Sequence, residues 1–495
     1  MVNMLPGLLL RARLFFSATT QRFWTKAVAS LVLVLLADQL FQGLSFGSTL
    51  GLFGGVLLFF VWALRVEPAG RIELTLIALA AGLCFALVQE PSLLAVTLLW
   101  GALATVVLMP TLNRLSDARL WAYKLGFFTI LAPAKPVIDL FKLDKIGKRR
   151  PLRRGRTLVA SMVLPVAALL VFTSLFIWAN PLIEEAVSAL NIEAWISGFT
   201  AERFVIWVVT ATIVWALLRS IAIHVPDLPG GERSALGLLV QWLFAPAGVL
   251  VSLILLNMLF ALQNGLDLAY LWAGEALPEG MTYAEYAHRG AYSLIVTALL
   301  AALFVLTALR PGSTLSESKP IRWLVYLWIG QNIFLVFSSI LRTLYYVDAY
   351  SLTLLRISAL IWMGLVALGL LFIIIRIRWK KTGLWLINVN TVSALAVLYA
   401  CSFVDLSGII ARFNVAHSQE LTGQGTPIDL DYLRELGPSS LPALNELIAQ
   451  LPDGQTKTRA SMLRGQLTIA LVFQQRDWRR WTYHGHRLLA VRSWP

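Results

Sequence analysis

The chain has 495 residues, of which 58% are hydrophobic and 14% charged, with a formal net charge of +14. Soluble domains carry roughly 45–50% apolar and about 25% charged residues, and a soluble chain this apolar would expose large sticky patches. An ordinary soluble fold is therefore excluded. The 41 Lys and Arg do not imply a nucleic-acid partner, because on a membrane chain basic residues first serve orientation.

Helices long enough to cross a hydrocarbon layer of about 30 Å need about 20 residues. That ruler predicts an all-α, polytopic transmembrane bundle of about eleven helices. The first four spans are Ala27–Leu44, Thr49–Leu64, Ile72–Val88 and Ser92–Met109, after a cytoplasmic segment 1–26. Within the second, Gly51 and Gly55 have the spacing of close helix packing. Residues 110–156 form a basic cytoplasmic segment. There Leu112, Leu115, Leu120 and Tyr123 share one helical face, and Ala-Pro-Ala-Lys-Pro at 132–136 makes a break. Its end holds Lys145, Lys148, Arg149, Arg150, Arg153, Arg154 and Arg156. The plain reading of this cluster is a topology anchor; the functional one is attraction of anionic lipid at the cytoplasmic face.

Membrane helices resume over 157–402. The spans are Thr157–Ala179, Phe204–Leu218, one within Leu236–Leu262 kinked at Pro246, Ala291–Leu309, Trp323–Leu341, Leu352–Ile375 and Leu384–Ser402. With the N-terminus inside, the inside segments hold 27 of the 41 Lys and Arg, the outside loops four and the tail ten. The asymmetry follows the positive-inside rule. Eleven spans then put the C-terminal domain, 403–495, outside, which in a bacterial inner membrane is the periplasm. That domain reads as a small helical unit with helices at Asp429–Leu436, Ser440–Leu451 and Thr456–Gln475. Its end is rich in Trp and Arg: Trp478, Arg479, Arg480, Trp481 and Trp494. This end suits a protein partner or lipid headgroups.

No Walker loop, Rossmann fingerprint, HExxH or GxSxG is present, so no catalytic residue is assigned. Cys84 and Cys401 lie in apolar runs without CxxC or zinc spacing, and His484 and His486 lack a third ligand. No metal and no cofactor is expected. The polar residues instead gather on the outer face. Candidates there are Asp267, Glu275, Tyr283, Glu285, His288, Arg289, Arg342, Asp348 and Arg356. Thr282 and Glu285 also fit a helix capping box, a purely structural reading. The arginines can hold a phosphate or carboxylate, or simply pair with the acids. A further group, Asp405, Arg412, Asn414 and His417, flanks the last span. Within the membrane, Asp38, Asn257, Gln331, Asn332, Asn388 and Asn390 require partners, as interhelical hydrogen-bond glue or as a pathway.

The runs Tyr270–Gly274 (YLWAG) and Thr282–Gly290 (TYAEYAHRG) resemble the signature stretches of a bacterial membrane family, domain of unknown function 4173. Gln331–Arg342, Ala349–Met363 and Ile387–Tyr399 are similar to it too. The resemblance implies a bacterial inner-membrane protein and brings no catalytic residues. Three readings follow. The first is a binding or permease-type envelope protein with a polar outer site. The second is a membrane enzyme acting on a lipid-linked anionic substrate at the periplasmic surface. The third is a membrane sensor that needs a signalling partner.

Overall fold

The structure, a computed structural model, describes residues 5–65, 70–112, 117–136, 138–139, 200–219, 246–272 and 318–490, with side chains from residue 23 onward. Among these residues it is all-α, with sixteen α-helices and one isolated bridge between Ser418 and Thr426. Seven helices are long and apolar enough to cross a membrane, as expected of a multi-pass membrane protein. The expected spans Thr157–Ala179 and Ala291–Leu309 lie outside the described residues, as does the basic cluster at 145–156.

The chain divides into two compact units. The first contains α1 (Leu5–Leu40), α2 (Thr49–Ala63), α3 (Arg71–Gln89), α4 (Leu93–Leu108), most of α5 (Ala118–Leu131) and α6 (Ala201–Leu218). Helices α2, α3 and α4 pack as consecutive antiparallel neighbours, and α6 lies along α1. Gly51 of α2 sits where any Cβ would overlap the Cys84 carbonyl and Val88 of α3. Gly55, its expected packing partner, faces open space, and Gly54 makes the second close approach, to Leu99 and Cys84. The helix therefore packs along a face rotated from the expected one. The segment Trp478–Thr482 also belongs to this unit.

The second unit holds α7 (Pro246–Leu266), which runs on through a π-helical turn at Asp267–Trp272, then α8 (Lys319–Tyr350), α9 (Leu354–Arg378) and α10 (Gly383–Cys401). Pro246 is the first described residue of α7, and the residues before it, with the expected kink, lie outside the described residues. Threonine hydroxyls cap several starts, as N-cap residues do. Thr200 accepts from the Arg203 amide, Thr353 from that of Arg356 and Thr382 from that of Trp385. An apolar core of Leu253, Val325, Ile329, Val336, Leu370 and Ile373 joins α7, α8 and α9.

Six further helices complete this unit: α11 (Leu406–Ala416), α12 (Gln419–Thr422), α13 (Leu430–Glu435), α14 (Leu441–Gln450), α15 (Gln455–Arg476) and α16 (Tyr483–Ala490). Their core is Ala411, Val415, Leu433, Leu444, Leu447, Ala460 and Leu463. Asn414 ties it to the α8–α9 turn: its Oδ1 accepts from the Leu352 amide at 2.7 Å and its Nδ2 donates to the Leu352 carbonyl at 2.9 Å. The Tyr432 hydroxyl accepts from the Leu354 amide at 2.9 Å.

Candidate functional site

Among the described residues, the seam between α7 and α8 gathers the most buried polar side chains into one row. Asn257 lies next to Leu324 and Gln331, Asn264 next to Gln331, and Asp267 next to Arg342. Contacts advance along both helices together, so the two run parallel. The end of α7 and the start of α8 therefore lie at opposite ends of this helix pair. The side-chain amides act as rungs: Asn257 Nδ2 donates to the Leu253 and Leu324 carbonyls at 2.7 and 3.1 Å. Gln331 Nε2 donates to the Asn257 carbonyl and Asn264 Nδ2 to the Gln331 carbonyl, each at 3.2 Å. Asn332 Nδ2 donates to the Trp328 carbonyl at 2.8 Å.

At the far end of the seam, Arg342 donates through Nη2 to Asp267 Oδ1, and both side chains are buried. Gln263 Nε2 donates to the same oxygen at 3.1 Å. The other carboxylate oxygen, Asp267 Oδ2, is buried and accepts no hydrogen bond; so are the side-chain oxygens of Asn257, Asn264, Gln331 and Asn332. Buried polar atoms in native folds are almost always paired, so a run of unfilled acceptors calls for an explanation such as water or a ligand. The backbone departs from α-helix at the same place, since the π-turn starts at Asp267. Such turns inside helices occur often at functional sites. Trp272, which closes the turn, donates to Ser338 Oγ at 3.2 Å and stacks on Phe334.

A groove of about 630 Å³ runs along the same helix pair. Trp323, Tyr326 and Phe334 wall it, Gly265 and Gly330 leave its floor bare, and Asn264 and Gln331 add the polar atoms. The groove is open along one side and mostly apolar, with a few polar groups at its edge.

The model of the family Domain of unknown function (DUF4153) matches residues 74–447. The chain belongs to this family. No curated protein matches it, and no solved structure does. The resemblance to the 4173 family is thus overturned. The runs that carried it are short, and the rest is span composition that any multi-pass chain shares.

In this DUF4153 chain the remaining expected site residues separate. Arg356 is engaged with its own helix end: its Nη1 donates to the Tyr350 carbonyl at 2.6 Å and to that of Ser351, and its guanidinium lies 4.1 Å over the Tyr346 ring. It caps the C-terminus of α8, where a cation opposes the helix dipole. Asp348 is exposed on the same last turn. Glu275, Tyr283, Glu285, His288 and Arg289 lie outside the described residues. Asn388 Oδ1 accepts from the Ala118 amide at 2.9 Å, and so secures the first turn of α5. Asn390 donates to the Leu386 carbonyl at 2.8 Å and fills the space left by Gly369 of α9.

Asp38 is gripped by Arg203 and Trp207 of α6. Arg203 donates to both carboxylate oxygens, and Trp207 Nε1 donates to Oδ1 at 2.9 Å. A similar clamp, not foreseen from sequence, closes the other end of α6. Asp139 Oδ2 accepts from Trp215 Nε1 at 3.0 Å, with Arg219 Nε at 3.3 Å and Lys135 Nζ at 3.9 Å. The i,i+4 spacing of Lys135 and Asp139 was the only signal for it. Outside the spans, the Arg119 guanidinium beside Asp117 holds that carboxyl below its ordinary value, helped by the Arg119 and Leu120 amides that it caps.

Proposed function

We propose that this DUF4153 chain is a binding or permease-type protein of the bacterial inner membrane. It holds a small, hydrogen-bonding solute at the α7–α8 seam. One observation carries the reading: a buried Asp267–Arg342 pair with an unfilled carboxylate oxygen, in line with unfilled amide oxygens and beside an aromatic groove. Unfilled acceptors select a ligand that donates hydrogen bonds, such as a hydroxyl, ammonium or amide group. The Trp323, Tyr326 and Phe334 walls favour one with an apolar body. The N-terminus is cytoplasmic and the C-terminal domain periplasmic in this scheme. Support comes from the basic-residue asymmetry and from the parallel course of α7 and α8, which the expected topology requires of two spans separated by one more.

The test uses purified full-length protein in nanodiscs, screened by thermal unfolding against polyols, amines, amino acids and short peptides. A ligand at 100 times its Kd stabilises by about 2.7 kcal/mol. A hit must also accumulate in protein-loaded vesicles and lose both effects on Gln331→Leu with Asn264→Leu. Stabilisation that survives this double substitution places the ligand elsewhere and defeats the proposal, as does a panel with no hit.

A further inference from the structure

We infer that the outward face of α15 lies in the bilayer interface and binds anionic lipid headgroups. This is independent of the α7–α8 reading. Helix α15 is apolar on two opposite sides. One side, with Ala460, Leu463 and Leu471, is buried in the C-terminal core. The other carries Met462, Ile469 and Phe473, which are 62, 59 and 65% exposed although the helix has no membrane-spanning character. These three positions fall within about 40° of one another on the helical wheel, roughly opposite the core face. A stripe of large apolar side chains presented by a soluble domain marks an interaction surface.

Three observations name lipid as the occupant. First, α15 has four basic residues, Lys457, Arg459, Arg464 and Arg476, and no acid. Arg476 lies over the Phe473 ring, with its guanidinium carbon 5.6 Å from the ring centroid. Of the four, Arg459 and Arg476 flank the Met462–Ile469–Phe473 stripe on the helical wheel, whereas Lys457 pairs with Asp453 at 2.9 Å; basic residues beside Phe, Ile and Met are the make-up of helices that lie in a headgroup layer. Second, the domain is tethered at the membrane boundary. Helix α11 starts at Leu406, just after α10 ends at Cys401, and Asn414 and Tyr432 bond the turn between α8 and α9. Third, the chain passes from α15 through Asp477 into a segment bonded to the end of a span. Arg479 Nε donates to the Gln39 carbonyl at 2.8 Å and the Ser48 amide donates to the Trp481 carbonyl at 2.7 Å. Trp478, half exposed, stands at that boundary, where Trp collects in membrane proteins.

The experiment uses the full chain with Cys84 and Cys401 replaced. Ile469→Cys carries an environment-sensitive fluorophore, and the protein sits in nanodiscs of phosphatidylcholine with or without 30% phosphatidylglycerol. Lipids spin-labelled near the headgroup should quench the probe by at least about half, and more in the anionic discs. A second probe at Gln455→Cys, at the start of the helix, reports folding and background quenching. High salt should weaken the anionic increment, since surface charge is screened. A probe at 469 that is quenched no more than the one at 455, in either disc, overturns the proposal. So does burial of the probe that depends on protein concentration and not on lipid, which would assign the face to a second copy.

Discussion

Removing one partner of the Asp267–Arg342 pair should damage the protein far more than removing both. Asp267 and Arg342 are 2 and 7% exposed, inside the α7–α8 packing. In Arg342→Met the carboxylate stays buried without its cation. Uncompensated buried charges of this kind cost about 3–5 kcal/mol. In the double variant Asp267→Leu with Arg342→Met, both charges of the pair are removed together and the volume is kept. Such replacements are commonly neutral, or stabilising by roughly 1–4 kcal/mol. The expected order of thermal stability is thus Arg342→Met well below wild type, with the double variant near wild type. Fluorescence-detected size exclusion after heating, in one detergent, reads all three proteins. The same double variant should abolish ligand stabilisation if the seam is the binding site, because it keeps the fold and deletes the polar group. A double variant as unstable as the single one refutes the argument, for it would mean that the pair is needed for reasons other than mutual charge compensation.

At Gly47 a Cβ would stand 2.5 Å from the Trp481 carbonyl oxygen and 2.6 Å from that of Arg479. Gly47→Val should therefore release Trp478–Thr482 and speed its amide exchange, whereas Gly55→Ala, with nothing within 4 Å, should be neutral. Asp405 caps α11 by accepting from the Gly408 amide at 2.8 Å and lies 3.5 Å from His484. Asp405→Ala should lower the stability of the C-terminal helices by about 1 kcal/mol, read by urea-induced proteolysis of the full chain. Asp117 has a folded-state pKa held below its ordinary value by Arg119, so its contribution is present at neutral pH and fades as pH falls below about 4. Exchange at the first turn of α5 should rise there in the wild type relative to Asp117→Asn at the same pH. Leu44→Cys should react with an impermeant maleimide in intact cells and Lys381→Cys only after lysis, in a background without Cys84 and Cys401; the reverse pattern would invert the proposed topology.

Where lipid is the solvent, apolar run length is close to a complete instruction. For this reason α2, α3, α4 and α10 begin and end within two residues of their expected bounds. Helix α8 extends further, to Tyr350, because Arg342 and Asp348 look like a span end when read alone. Arg342 is in fact buried against Asp267, 75 residues away, a pairing that no local pattern encodes. The C-terminal helices 430–435, 441–450 and 455–476 were legible from their Gly-Pro break and apolar spacing. Helix α11 was not, because it follows the last span so closely that its apolar residues read as span and loop. The clasp of Trp478–Thr482 was flagged only as a Trp- and Arg-rich end. Much of its binding runs through main-chain carbonyls and amides, which carry no side-chain signature.

Among the described residues three aspartates are buried, Asp38, Asp139 and Asp267, and they differ in a way that separates support from site. Asp38 has both oxygens taken, by a two-pronged arginine and an indole N–H. Asp139 has an indole and an arginine within hydrogen-bond reach and a lysine close by. Both stand toward opposite ends of α6, where a charge is least costly to keep and a cation and a Trp can approach from one helix. A carboxylate with its acceptors filled has little to offer a ligand, and its arrangement is fully explained by holding α6 to its neighbours. Asp267 is the exception: one oxygen is shared by Arg342 and Gln263, and the other is buried and unfilled. Desolvating an acceptor without a partner costs about 1–3 kcal/mol, more for a charged group. Asp38 is filled completely, whereas Asp267 is left open beside a π-turn and an aromatic groove, and this contrast is why the proposed ligand is assigned to Asp267 and not to Asp38 or Asp139.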